Sequence, residues 1–305
     1  MGNRVLRQLA LTPHRAQLAA RLMMAGPEGR LEVQRRAYRK VASRVTKTLE
    51  IESDDSRFLI HPSDGPIAEQ LFVFGSFNAD MTETAVSVMN DYLAPDVIEG
   101  KVFLDIGANI GTTSIPAVTQ WGASRVLAVE PEAENFRLLR CNVILNDLDD
   151  RIDCVKHVVT NHTGPVTLEV SASNSGDHRV QYVVFDHEEP RSTVAADGVP
   201  LDDLIDQHEI DRGDIGLVWI DTQGHEGHVL DSAPKTLAAR VPMLIEFCPY
   251  MLRRNAGLEL LQRLIAEQFS FFVDLEKPQK TPAVEISGLA AQYPGTHSTD
   301  LLLIP

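Results

Sequence analysis

The chain has 305 residues, 44% hydrophobic and 23% charged, and a net charge of −15. That is enough chain to bury one large core, alone or with an appendage, and a body too acidic to hold nucleic acid phosphates. No run of about 18 apolar residues occurs, so no transmembrane helix is expected, and no apolar segment near the N-terminus precedes a small-residue cleavage site, so secretion is not indicated. Cys141, Cys154 and Cys248 show no metal-ligand spacing and read as reduced core thiols of a cytoplasmic protein.

The charge is unevenly spread. Residues 1–47 carry +9, which leaves −24 for the rest. Apolar positions at Val5, Leu6, Leu9, Leu18, Leu22 and Met23, interrupted by Pro13, predict one or two amphipathic helices over residues 3–25. Gly26-Pro27-Glu28-Gly29 breaks the pattern, and a second basic helix is expected from Leu31 to Lys47. Together they form a helical extension, residues 1–50, ahead of one domain over 51–305. Such a basic segment either packs on its own acidic domain or reaches a membrane surface or an acidic partner.

Phe58 to His61 reads as a short strand, Ile67 to Leu71 as a turn of helix, and Thr82 to Leu93 as a helix. The cap of that last helix is half a capping box, with Ala85 in place of the usual Glu. Val102-Phe103-Leu104-Asp105-Ile106-Gly107-Ala108-Asn109-Ile110-Gly111 then runs from an apolar strand into a glycine turn, and Thr112-Thr113-Ser114 opens a helix. Glycines there let backbone N–H groups approach a ligand with no Cβ in between. Arg125 to Val129 is the second strand, ending in Glu130-Pro131. An acid at that position can accept from two vicinal ribose hydroxyls. A dinucleotide would require G-x-G-x-x-G and would meet repulsion from Asp105. The D-x-G-x-N-x-G spacing suits a cationic nucleoside such as S-adenosylmethionine. Asp105, Gly107, Ala108, Asn109, Gly111 and Glu130 are therefore the cofactor candidates, with Asn142 on the following helix.

That helix spans Glu134 to Asn146 and turns Phe136, Leu139, Val143 and Ile144 to the sheet; a third strand is expected over Ile152 to Thr160. Val166–Val170 and Val180–Phe185 read as a β-hairpin insertion, about 165–186, whose polar tip around Asn174 is a candidate substrate surface. Leu201 to His208 is a short helix. Leu217 to Asp221 and Val241 to Phe247 are further buried strands, each with an acid at or near its end, and Glu226 to Ser232 and Glu259 to Gln268 are helices. Phe269 to Leu275 and Asp300 to Ile304 close the chain as strands. The pattern implies a doubly wound, mostly parallel seven-stranded α/β sheet, which binds ligands beyond the carboxyl ends of its strands. Asp105, Glu130, Asp221 and Glu246 all sit at such ends.

Asp105 to Gly111, Glu130-Pro131, Asn174-Ser175-Gly176, Leu201-Asp202-Asp203-Leu204, Ile220 to Glu226 and Ile245-Glu246 come in an order and spacing that resemble the FkbM-type methyltransferases over roughly residues 70–305. The resemblance implies a class I S-adenosylmethionine-dependent fold and transfer to a hydroxyl of a sugar, glycolipid or polyketide-type natural product. By position, Asp105, Gly107, Asn109 and Gly111 resemble the loop around the cofactor's methionine, Glu130 the ribose ligand, and Asp221, Gly224 and Glu226 the family's D-x-E-G-x-E signature on the substrate side. Two positions depart: Trp219 stands where a lysine is common, and Gln223 replaces the middle Glu.

An alcohol nucleophile must lose its proton, and His225, Asp221 and Glu246 are the candidate bases, with Asn174 and Glu226 toward the acceptor. Asp221 and Glu246 would offer a divalent metal two hard oxygen ligands, too few for a resident site. His157, His162, His178 and His187 read as surface residues. The rival functions are a non-catalytic S-adenosylmethionine-binding protein, favoured by Trp219, and a nicotinamide-dependent oxidoreductase, which lacks its third glycine here.

Overall fold

The computed structural model describes residues 27–53, 56–182 and 191–305. The helices expected over residues 3–25, half of the second arm of the expected hairpin (183–185), and His187 lie outside the described residues. Helix α1 (Pro27–Val45) opens on a proline, which a first helical position tolerates because its N–H would be unpaired there. Strands β1 (Leu49–Ser53) and β2 (Ser56–Ile60) form an antiparallel ribbon. Helix α2 (Pro66–Glu69) runs into a π-helical turn, Gln70–Phe74, closed by Gly75 in the left-handed conformation. Helix α3 (Ala79–Tyr92) starts three residues before Thr82, behind Asn78 and with no side-chain cap, so the half capping box is not used.

Strand β3 (Val102–Ile106), α4 (Ser114–Thr119), β4 (Arg125–Val129), α5 (Ala133–Leu145) and β5 (Ile152–Val155) follow as two βα units and a strand. On α5, Leu138, Leu139 and Val143 are buried, but Ile144, about 100° round the helix from Val143, is exposed. The strand expected over 152–160 is two strands. After Lys156-His157 the chain leaves the main sheet, and β6 (Val158–Val159) joins a smaller one with β7 (Gly164–Val170), β8 (Arg179–Val180) and β9 (Ser192–Val199) in the order β6-β9-β7-β8. The expected hairpin is there in short form: among the described residues Leu168 and Glu169 pair antiparallel with β8, while β7 pairs along its whole length with β9, from Gly164–Gly198 to Val170–Ser192.

Helix α6 (Leu201–Gln207), β10 (Ile215–Ile220), α7 (Glu226–Asp231), α8 (Pro234–Ala238), β11 (Met243–Phe247), α9 (Pro249–Arg254), α10 (Leu258–Gln268), β12 (Phe271–Asp274), β13 (Lys277–Pro282) and β14 (Thr299–Ile304) complete the chain. The main sheet has eight strands in the order β13-β12-β14-β11-β10-β3-β4-β5. The five from β11 to β5 are parallel, and β14 runs antiparallel to both β11 and β12. This is the doubly wound class I methyltransferase sheet with one strand added at the edge. β13, Lys277-Pro278-Gln279-Lys280-Thr281-Pro282, is polar and mostly exposed, and its lysines and prolines disfavour further pairing at that edge.

The sheet separates two apolar layers. Leu104, Ile106, Val218, Ile220 and Ile245 fill one, and Phe103, Leu217, Trp219, Leu244 and Leu302 the other. Strand order reverses at β3, with β4 and β5 on one side and β10 and β11 on the other. A crevice therefore opens where the carboxyl ends of β3 and β10 part.

Candidate active site

Both strand ends meet at Gly107. Its φ is +97°, and a Cβ there would lie 1.9 Å from the carbonyl oxygen of Asp221. The Asp221 N–H donates to the Ile106 carbonyl at 2.9 Å, while the N–H groups of Gly107 and Ala108 donate to Val129 at 2.9 and 3.0 Å. One glycine thus lets three strand ends converge beneath a cleft of about 340 Å³, within the range of small-molecule sites.

Asp105 lies in the cleft wall, 2% exposed, and accepts a hydrogen bond from the Ser114 hydroxyl. Burial pushes its carboxyl up to about 7; the Ser114 hydroxyl opposes this and the nearby Asp221 carboxyl adds to it. A cation in the cleft pairs only with the ionised form, so cofactor binding is expected to release a proton. Its Kd should rise about tenfold per pH unit below about 7. Asp105→Ala should weaken binding and remove that dependence; calorimetry across pH and in buffers of different ionisation enthalpy measures both.

Glu130 is held by two backbone donors, the Asn109 N–H to Oε2 at 3.0 Å and the Glu132 N–H to Oε1 at 2.8 Å. Each oxygen keeps lone-pair capacity for a ribose hydroxyl. Burial pushes this carboxyl up to about 8, against those two N–H groups. Glu130→Ala is expected to weaken cofactor affinity by about 1.5–3 kcal/mol and leave the fold intact; an unchanged Kd would move the ribose site elsewhere.

The other cofactor candidates divide. Asn109, at φ +51°, lines the cleft and donates from Nδ2 to the Ser175 carbonyl at 2.9 Å. Ala108 is 2% exposed and packs into the core. A Cβ on Gly111 would meet Leu139 and Ile115 side chains, so this glycine seats the turn on its helices. Asn142 requires correction. Fully buried, it accepts from the Leu59 N–H at 2.6 Å and donates to the Leu59 and Ile110 carbonyls. One turn on, Asn146 does the same for the N–H and carbonyl of Arg57. The two amides complete the edge of β2 as a neighbouring strand would, and Asn142, with both amide hydrogens used, does not line the cleft.

The loop at residues 171–178 is tied across the cleft. The Ser175 carbonyl accepts from Asn109 and Asn135, and its N–H and hydroxyl donate to Asp64 at 2.9 and 2.7 Å. Asn174 lines the cleft with its amide oxygen bound to the Gly176 N–H. His157 and His178, expected on the surface, line it too. Nδ1 of His178 accepts the Ser171 N–H at 3.1 Å, so the ring proton sits on Nε2; burial lowers its pKa and keeps it neutral. Nothing in the local sequence distinguishes these residues, because the cleft gathers them from a sheet whose pairing is non-local.

On the β10 side, Gln223 at φ +54° and Gly224 at φ +95° form the turn. Glu226 was a candidate substrate residue, and this too is corrected. It is 1% exposed, and its Oε1 accepts from the Thr222 N–H, the Thr222 hydroxyl and the Gly224 N–H at 2.9–3.1 Å. Glu226 therefore builds the loop. Burial raises it to about 7. Gln223, by contrast, faces the cleft and donates from Nε2 to Asp221 at 2.8 Å and to Glu246 at 3.0 Å. Its amide separates two carboxyls that would otherwise repel. Burial raises Glu246 well above the usual carboxylate range, with Asp221 and Glu226 adding to it. Asp221 is raised by the protein around the cleft floor and pulled back by hydrogen bonds from Gln223 and Glu246.

Oxygens of Asp221, Glu226 and Glu246 lie within 4.8 Å of one another, one acid more than the sequence suggested. N–H donors already engage all three, however, so the cluster as built is a hydrogen-bonded unit.

His225 is corrected as a base. It is 2% exposed, its Nε2 lies 3.1 Å from the Thr160 hydroxyl, and it stacks on His228 at 4.6 Å. Burial pushes its pKa down to about 3, so it does not take up a proton near neutrality. Trp219, the other departure, stacks on Trp121 at 6.0 Å and forms apolar cleft wall. A second cavity of about 420 Å³ adjoins the first through Arg179, Gln223 and Glu246 and adds Arg191, Tyr250 and Ser298 to its walls.

Residues 105–275 match the model of the methyltransferase FkbM domain, more than half of the chain. The chain belongs to the FkbM methyltransferase family. Its matched region runs from Asp105 at the end of β3 through β12, and so contains Asp105, Glu130, Asp221 and Glu246, while the cleft wall from Pro66 to Thr82 lies outside it. This FkbM protein is also 32% identical over 110 residues to protein arginine N-methyltransferase 6 of Danio rerio, a match covering 36% of this chain and 29% of that one. Among solved structures it is similar to an FkbM methyltransferase of Methylobacillus flagellatus KT, at 18% identity and a TM-score of 0.43, over 71% of this chain and 47% of that one. It is similar as well to an O-methyltransferase of Bacillus cereus in complex with SAH, at 11% identity and a TM-score of 0.41, over 73% and 80% of the two chains. The chain thus spans about half or less of the first two relatives.

Proposed function

We propose that this FkbM protein is an S-adenosylmethionine-dependent O-methyltransferase acting on a hydroxyl of a sugar, glycolipid or polyketide-type natural product. What supports this reading is the Asp221–Gln223–Glu246 unit, in which Asp221 lines the first cavity and Gln223 and Glu246 line both.

The residues fit the cofactor. Glu130 presents two oriented oxygens for a ribose, Asp105 a carboxylate for a cationic group, and the buried Oδ1 of Asn109, without a partner among the described residues, an acceptor beside them. When bound, S-adenosylmethionine supplies an activated methyl on a sulfonium, so the protein's main contribution is alignment. The acceptor hydroxyl approaches from the second cavity, and Asp221, the more open acid, takes its proton. Burial and the neighbouring carboxyls raise Glu246, which favours its neutral form beside Asp221. Gln223 holds the pair together, and the neutral imidazole of His225 supports the loop from behind.

A panel of glycosides and polyketide alcohols, assayed for demethylated cofactor, tests the assignment. Turnover with a hydroxyl acceptor is expected. Methylation of an arginine peptide in place of every alcohol would replace oxygen by nitrogen as acceptor. Binding of S-adenosylmethionine with no turnover on any acceptor would leave a binding protein, and calorimetric binding of NAD alone would return the oxidoreductase.

A further inference from the structure

Helix α1 docks on the body through arginines beside the buried Ala42. Arg35 donates to the Val73 carbonyl, Arg39 to the carbonyls of Pro62 and Asp64 and to the Glu69 carboxylate, and Arg36 bridges Glu69 and Glu32. Along one flank of that docked face Leu31, Tyr38, Val41 and Val45, spaced by seven, three and four residues, form one stripe, and the Tyr38 ring stacks on Phe72 at 5.9 Å. The stripe residues are 47%, 60%, 59% and 78% exposed, four of the nine exposed large apolar side chains among the described residues. Lys40 and Arg44 are also exposed and lie on the solvent side of that stripe, and among the described side chains of the helix the one acid, Glu32, is paired with Arg36.

We propose that this face of α1 docks the protein on an anionic membrane surface, lying in the interface without crossing it. A narrow apolar stripe with cations beside it is the form of an interfacial helix. The apolar side chains enter the acyl boundary, the basic ones meet headgroup phosphates, and Tyr38 suits the depth between. Charge distribution favours the same partner: +9 on residues 1–47 against −24 elsewhere turns the basic end toward a negative surface and the acidic body away from it. A second copy would bring one +9 segment against another. No described helix is long and apolar enough to cross a membrane.

Sedimentation of the full chain with vesicles of phosphatidylcholine alone, and with about one-third phosphatidylglycerol added, tests this. Binding is expected to the anionic vesicles only and to weaken with salt. Leu31→Ser/Val41→Ser/Val45→Ser should lower partitioning by about tenfold or more, and Lys40→Glu/Arg44→Glu should lower it and flatten its salt dependence. Circular dichroism and S-adenosylmethionine affinity should be unchanged in both, since the stripe makes no contact with the cleft. Equal vesicle binding by wild type and variants would overturn the proposal. So would absence of vesicle binding together with self-association, or with capture of an acidic peptide, that depends on these residues.

Discussion

Gly107→Val is expected to abolish detectable S-adenosylmethionine binding, a loss of about a hundredfold or more in affinity, and to lower the melting temperature. A left-handed backbone costs a side-chain-bearing residue about 1–2 kcal/mol. The larger effect is steric, because the new Cβ would lie 1.9 Å from the Asp221 carbonyl oxygen, a backbone atom with no flexible end to move. The ends of β3 and β10 must separate, which displaces Asp105 on one side of the cleft and Asp221 on the other. Cofactor affinity and any residual turnover should therefore fall together. Gly111→Ala is the control. Its Cβ would meet the ends of the Leu139 and Ile115 side chains at 3.1 and 3.3 Å, which can shift. It should cost about 1–2 kcal/mol of stability and leave a measurable Kd. Melting curves and calorimetry on both variants check this; wild-type cofactor affinity in Gly107→Val would refute the convergence of strand ends as the basis of the site.

Asp221→Asn is expected to lower kcat by about 10²–10⁴-fold while cofactor affinity stays near wild type. Asparagine keeps the shape of the cleft floor and removes the group that takes the acceptor's proton. Glu246→Gln should cost less, because burial and its acidic neighbours favour the neutral carboxyl, which an amide reproduces. In the wild type, rate should rise with pH through the raised pKa of the acid pair, since protonated Asp221 cannot act as base; in Asp221→Asn that limb should disappear. pH–rate profiles with the best acceptor from the panel measure all three. Equal losses in the two variants, with the acid limb kept in Asp221→Asn, would transfer the role of base to another group.

Linkage gives the same acids an effect on stability. Asp105, Glu130, Glu226 and Asp300 stand at about 7–8 in the folded protein, well above ordinary carboxyls. Between about pH 4 and pH 8 the folded state thus binds more protons than the unfolded one, and stability falls as pH rises through that window. The cofactor-free protein should melt roughly 5 °C or more lower at the upper end than at the lower, and bound S-adenosylmethionine should lessen the difference.

The strand-turn-helix at Asp105–Gly111 and the acids ending β3, β4, β10 and β11 were legible in the chain alone, because each is written in adjacent residues. Apolar runs mark buried parallel strands, glycines mark a turn, and an acid closes the strand. From these the doubly wound sheet and the cofactor side of the cleft follow. What the chain alone did not contain is which polar groups are already used. Asn142 looks like a ligand until Leu59, 83 residues away, takes up its amide. Glu226 looks like a substrate contact until its own loop folds back onto it, and His225 looks like a base until burial against Thr160 and His228 removes its affinity for protons. Gln223, a mere departure from a motif, becomes the bridge between two carboxyls only when β10 and β11 lie side by side. β9 was unreadable as the partner of β7 because strand pairing is chosen by the whole sheet. Local chemistry thus determined the element types and the cofactor turn. Tertiary structure decided the role of each polar side chain, since burial and hydrogen-bond partners are set by residues distant in sequence.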